Sequence, residues 1–166
     1  VDRERFEQTF QWLIRRHESL RTSFTMVDDQ TVQRIHDQVE FKIESTEVFA
    51  ELFSKSDPPE AIIKSFIRPF DLSRAPLLRV GLVELSPGKH LFLYDIHHII
   101  SDGTSRGIFL RDFMSCYEGK ETDLPELRIQ YKDFCCWQNS GFEKKEKYWL
   151  ERFSGEIPNL NIYTDF

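Results

Sequence analysis

The sequence predicts a mixed α/β fold built on an antiparallel or mixed sheet with helices packed against it. Three observations carry this. Segments with helical apolar spacing alternate with strand-like segments along the chain. Two apolar runs, "APLLRVGLVEL" and "HLFLYDIHHII", flank a Pro-Gly turn and read as a hairpin. The 166 residues, 40% hydrophobic and including 15 phenylalanines, suffice for one domain with an aromatic-rich core.

From Asp2 to Leu20, apolar residues recur at Phe6, Phe10, Leu13, Ile14 and His17 or Leu20. That spacing predicts a helix, with Asp2 as its cap and arginines towards its C-terminus. "TSFTMVDDQTVQRIHD" then predicts a hairpin turning at Asp28-Asp29, and the alternation of "VEFKIE" a short strand. "PPEAIIKSFIRPF" places prolines at a helix start and Ile62, Ile63, Phe66 and Ile67 on one side. After the central hairpin, which turns at Pro87-Gly88, "TSRGIFLRDFMSCYEG" has helical spacing and Gly119 as its stop. "ETDLPEL" is a loop, and two further helices, "QYKDFCCWQNSG" and "FEKKEKYWLERFSG", are separated by Ser140-Gly141. Repeats and low-complexity tracts are absent.

A net charge of −6 argues against a nucleic-acid binder, which needs a basic face to neutralise phosphates. No apolar run reaches the length of a membrane span, and the charged N-terminus is not a signal peptide. Three cysteines, two of them adjacent, suggest reduced thiols and a cytoplasmic location, and their spacing does not suit zinc. The chain opens inside a helical pattern and stops at "NLNIYTDF", which reads as a piece of something longer.

The chemistry concentrates in "HHIISDG", residues 97–103, at the end of the second hairpin strand. Strand alternation would put His98 on the face of Phe92, Tyr94 and Ile96, and His97 on the opposite one. Ser101 or Asp102 is placed to cap the next helix, with Gly103 giving the backbone freedom at its start. A histidine beside a helix N-terminus suits a general base, its ordinary pKa being about 6.5. Taken alone, a bare "HH" reads more simply as two histidines satisfied by backbone carbonyls.

The full stretch resembles HHxxxDG, the signature of the condensation domains of nonribosomal peptide synthetases; a looser HxxxD occurs in chloramphenicol acetyltransferase and its relatives. Three other stretches resemble the family's motifs, in the family's order: "RHESLRTSF" (16–24), "PFDLSRAPLLRVGL" (69–82) and "YKDFCCWQ" (131–138). The family's first motif and its second half have no counterpart here. The resemblance implies a chloramphenicol acetyltransferase-like two-layer sandwich, with residues 1–166 forming most of the N-terminal lobe of a two-lobe domain. It implies amide-bond formation between a donor acyl thioester and an acceptor aminoacyl thioester, each carried on the phosphopantetheine arm of a peptidyl carrier protein. No directly bound cofactor or metal is implied, and an adenylation domain of the same synthetase is a further partner.

By the same resemblance His98 is the catalytic residue, as base or as positioning group, and His97 is structural. Asp102 is a structural residue paired with an arginine of "RHESLRTSF", Arg16 first and Arg21 as the alternative. Gly103 gives the substrate arm room, and its N–H is a candidate donor to a carbonyl. Tyr131, Asp133 and Trp137 are expected to pack and hydrogen-bond, His17 to be a core histidine, and His36 and His90 to lie at the surface. Alternative readings are an epimerisation domain, a free-standing acyl-CoA-dependent acyltransferase of the superfamily, and a non-catalytic recruitment module. A lone lobe is expected to be inactive, and its uncovered apolar face invites self-association.

Overall fold

Asp2 begins the first helix as its position implies. Its carboxylate accepts from the Arg5 N–H at 3.0 Å, capping helix α1, Arg3–Arg16. The computed structural model describes residues 1–45 and 59–156. It divides into two units, 1–128 and the segment from residue 129 onward. Helix α1 is shorter than the expected Asp2–Leu20. His17 takes an extended backbone, and Glu18–Arg21 tighten into a 3-10 turn.

Strands β1 (Thr22–Val27) and β2 (Gln30–Ile35) form the expected antiparallel hairpin. Asp28 and Asp29 both have positive φ, 48° and 61°, the geometry of a two-residue hairpin turn whose twist matches its strands. The expected "VEFKIE" strand pairs only at Glu44–Ser45 (β3), which runs parallel to β4, Leu78–Ser86. The alternation records burial more than pairing: Val39 and Phe41 pack on the core and Ile43 is buried in it. The helix expected from "PPEAIIKSFIRPF" is present as α2, Pro59–Phe66.

Strand β4 pairs antiparallel with β5, Lys89–Ile96, through the Pro87-Gly88 turn, where Gly88 has a φ of 77°. The mixed sheet β3-β4-β5 sorts its side chains by period 2. Leu78, Val80 and Leu82 face α1 and helix α3 (Gly103–Tyr117), meeting Phe6, Phe10, Phe109 and Phe113. Val83 and Leu93 face the other way, onto Ile62 and Phe66 of α2. Gly81 lies on that second face, where a Cβ would come within 2.9 Å of the Phe66 ring. Phe6 packs edge-on to two neighbours, 5.1 Å from Phe92 and 5.3 Å from Phe113. Helix α3 ends where expected, with Gly119 at a φ of 77° and the Lys120 N–H donating to the Ser115 carbonyl at 2.8 Å.

The second unit contains α4, Tyr131–Asn139, and α5, Phe142–Arg152, separated at Ser140-Gly141 as the sequence implies. Asp133 closes a capping box with Gln130, whose N–H donates to it at 2.8 Å. Tyr131, Phe134 and Trp137 follow one another along α4 with ring centroids 6.0 and 5.8 Å apart. No helix among the described residues is long and apolar enough to cross a membrane.

Candidate functional site

Strand β5 stops at Ile96, so the one-imidazole-per-face expectation fails at the next residue. The His97 N–H still donates to the Leu77 carbonyl of the neighbouring strand segment at 3.0 Å. The Ile100 N–H then donates to the His97 carbonyl at 3.1 Å, and the chain turns. Both histidines therefore sit on a turn, and their directions are set by local hydrogen bonds instead of the pleat.

The His97 Nδ1 accepts from the Ile99 N–H at 3.1 Å. Its ring meets Phe70 edge-on at 6.0 Å, and Phe70 lies 4.3 Å beneath the Arg79 guanidinium. Arg79 in turn donates to Asp95 at 2.8 Å. His97 is thus half-buried, its ring held between the Ile99 N–H and Phe70. His98 is exposed, and its Nδ1 lies 2.5 Å from the Ser101 carbonyl oxygen. A carbonyl only accepts, so Nδ1 carries the proton and the neutral ring keeps its acceptor lone pair on Nε2. His98 lines an open cleft of about 480 Å³ together with Tyr94, Ser101, Asp102, Gly103 and Arg106.

Asp102 caps α3. Its carboxylate accepts from the Ser105 hydroxyl at 2.6 Å and the Ser105 N–H at 2.7 Å, and these bonds hold its pKa below the usual range. The expected ion pair with Arg16 or Arg21 is not formed. Arg16 donates through Nε to Asp112 at 2.9 Å and through Nη2 to the Pro125 carbonyl at 2.7 Å. Arg21 donates to the His36 carbonyl and to Glu18. The reason lies in helix packing. The C-terminal end of α1 meets α3 at Asp112, roughly 15 Å along the helix from Asp102 at a rise of about 1.5 Å per residue.

Asp112 is the buried carboxylate that sequence reasoning missed. Its side chain is fully buried, and it receives Arg16 Nε at 2.9 Å, His17 Nε2 at 3.0 Å and Arg111 Nη2 at 2.7 Å. Burial pushes its pKa up, but the bonds from Arg111, Arg16 and His17 outweigh this and hold it below the ordinary carboxylate range. The signal was present: Asp112 falls three residues after Phe109 and next to Phe113, on the apolar side of its helix. His17 is accordingly a half-buried partner of this carboxylate, and burial lowers its pKa despite that neighbour. His36 and His90 are half-buried, not surface residues; His36 Nε2 bonds the Ser23 hydroxyl at 2.8 Å.

Gly103 differs from expectation in one respect. Among the described residues the glycines with positive φ are Gly88 and Gly119, so backbone freedom does not explain it. A Cβ built at Gly103 meets no atom within 4 Å, because it would project into open space beside the cleft.

The chain matches the family model described as "Condensation domain" over residues 1–165. It is 49% identical to Gramicidin S synthase 2 of Brevibacillus brevis over 171 residues, covering 100% of this chain and 4% of that protein. It is 48% identical to Tyrocidine synthase 3 of Brevibacillus parabrevis, covering 100% of this chain and 2% of that one. Among solved structures, the EpoB cyclization-docking bidomain of Sorangium cellulosum superimposes with a TM-score of 0.72 at 25% identity, over 95% of this chain and 33% of that chain. The epimerization domain TycB3(E) of tyrocidine synthetase B superimposes with a TM-score of 0.67 at 24% identity, over 100% and 40%. The chain therefore spans a small share of its curated relatives and well under half of these structures.

Proposed function

The chain belongs to the condensation-domain family of nonribosomal peptide synthetases, and on that premise we propose that it is part of a catalyst joining two carrier-bound acyl groups through an amide bond. The amine nitrogen of the acceptor aminoacyl thioester attacks the donor thioester carbonyl. The C–N bond forms, the C–S bond breaks, and the proton lost by the amine ends on the departing thiol. His98 acts on this step through Nε2, either by taking that proton or by holding the amine for attack. The partners are a donor and an acceptor carrier protein, bearing the phosphopantetheine arms, and an adenylation domain of the same synthetase.

One observation carries the reading: an exposed imidazole whose Nδ1–H is held by a backbone carbonyl, leaving Nε2 at an open cleft. His97 orders the turn through its bond from the Ile99 N–H, and Asp102 acts as the cap that fixes the start of α3. Gly103 leaves the space a substrate arm needs. Arg16 acts at a distance, through Asp112, by fixing α1 to α3.

The test uses the intact synthetase module with two loaded carrier proteins and mass-spectrometric detection of the condensed product. Replacing His98 with alanine is expected to slow condensation by about 10²–10⁴-fold if it moves the proton, and less if it only positions the amine. A variant as fast as the parent overturns the assignment. Inversion of the donor Cα without amide formation in the parent module would identify an epimerisation domain instead.

A further inference from the structure

Behind the His97–Ile100 turn lies a second, smaller pocket, of about 110 Å³. Its walls are Ile100, Ile108 and Phe109, and it shares Tyr94, Ile96 and Arg106 with the His98 cleft. Arg106 Nη2 and the Tyr94 hydroxyl, 3.4 Å apart, stand where the two spaces meet. Three of the polar groups on its wall already have partners, and Arg106 lies at its mouth. His17 Nε2 is bonded to Asp112, the Ser101 carbonyl to His98, and the Ser105 hydroxyl to Asp102. A polar guest would therefore give up water for little return, whereas an apolar guest would bury its surface against isoleucine and phenylalanine.

Volume narrows the guest further. A cavity of roughly 150 Å³ lined by aliphatic and aromatic side chains takes up benzene. This one, at about 110 Å³ and open on one side, matches a branched aliphatic group more closely than an aromatic ring. Ile100 is buried and fixed, while Ile108 is 40% exposed and forms the adjustable wall.

We propose that this pocket is a side-chain subsite that receives a branched aliphatic group, of isopropyl or isobutyl size, from an acyl thioester whose carbonyl lies at His98. The inference rests on the condensation reading for the identity of the thioester, but its test reads binding alone. Methyl NMR of the isoleucine-labelled chain is followed during titration with S-isovaleryl pantetheine and with S-acetyl pantetheine. The isovaleryl compound should shift the Ile100 and Ile108 methyls and bind on the order of fiftyfold more tightly, from three additional buried carbons.

Two variants bracket the pocket. Ile108→Phe fills it and should abolish the preference for the isovaleryl compound. Ile108→Ala enlarges it and should bind S-phenylacetyl pantetheine more tightly than the parent does. Equal affinity of the parent for the isovaleryl and acetyl compounds, or a preference unchanged in both variants, overturns the subsite. Loss of condensation in His98→Ala does not bear on these titrations, so the two readings fail separately.

Discussion

Replacing Asp112 with alanine should be among the most damaging single changes in residues 1–128. Its side chain is fully buried, and its two best-shielded partners, Arg16 and His17, are only 11% and 17% exposed. Arg111 is 57% exposed, so its share of the interaction is screened and worth about 0–1 kcal/mol. The damage comes from the Arg16 charge, left in a low-dielectric site without its carboxylate, and from the His17 ring, left without its hydrogen-bond partner. Breaking a buried pair in this way costs about 3–5 kcal/mol, a large part of the roughly 5–15 kcal/mol that holds a domain together. Urea unfolding at neutral pH, followed by tryptophan fluorescence, measures the loss as a shift of midpoint at constant slope. Asp112→Asn keeps the shape and an acceptor oxygen and should lose less, about 1–3 kcal/mol. A loss below about 1 kcal/mol in the alanine variant would refute the idea that this carboxylate fastens α1 to α3.

The His17 pKa is lowered in the folded state, so the unfolded chain binds more protons below its ordinary value of about 6.5. Stability should therefore fall as pH drops through that value, and His17→Gln should flatten the slope in urea midpoints taken between pH 7.5 and 5.5; parallel curves would count against this. Gly81→Ala pushes a Cβ to 2.9 Å from the Phe66 ring and should cost about 1–3 kcal/mol in the same unfolding assay, with no effect expected at the His98 cleft. Asp102→Asn retains a capping oxygen and should keep condensation activity in the intact module, while Asp102→Ala should lose it. Equal losses in both would mean that the Asp102 charge, not its cap, is what His98 requires.

Most of the scaffold was legible because its signals are local. Asp2 as a cap, the Asp28-Asp29 and Pro87-Gly88 turns, and Gly119 as a stop each depend on a few adjacent residues. The site was legible in part. "HHIISDG" marks where chemistry gathers, but alternation could not show that pairing ends at Ile96 and that His98 answers to Ser101 instead of to the pleat. The partner of Arg16 was illegible for a different reason. It depends on which turn of α3 meets the end of α1, a matter of how two helices cross over a phenylalanine core. A charged residue on the apolar side of α3 was the available clue.

Because the proton on the His98 ring is anchored by a main-chain oxygen, no point substitution can delete the anchor. The basic nitrogen keeps its aim so long as the peptide path from 98 to 101 is preserved. Mutational scans of this loop should therefore punish changes that bend the backbone, proline above all, more than changes that merely swap side chains.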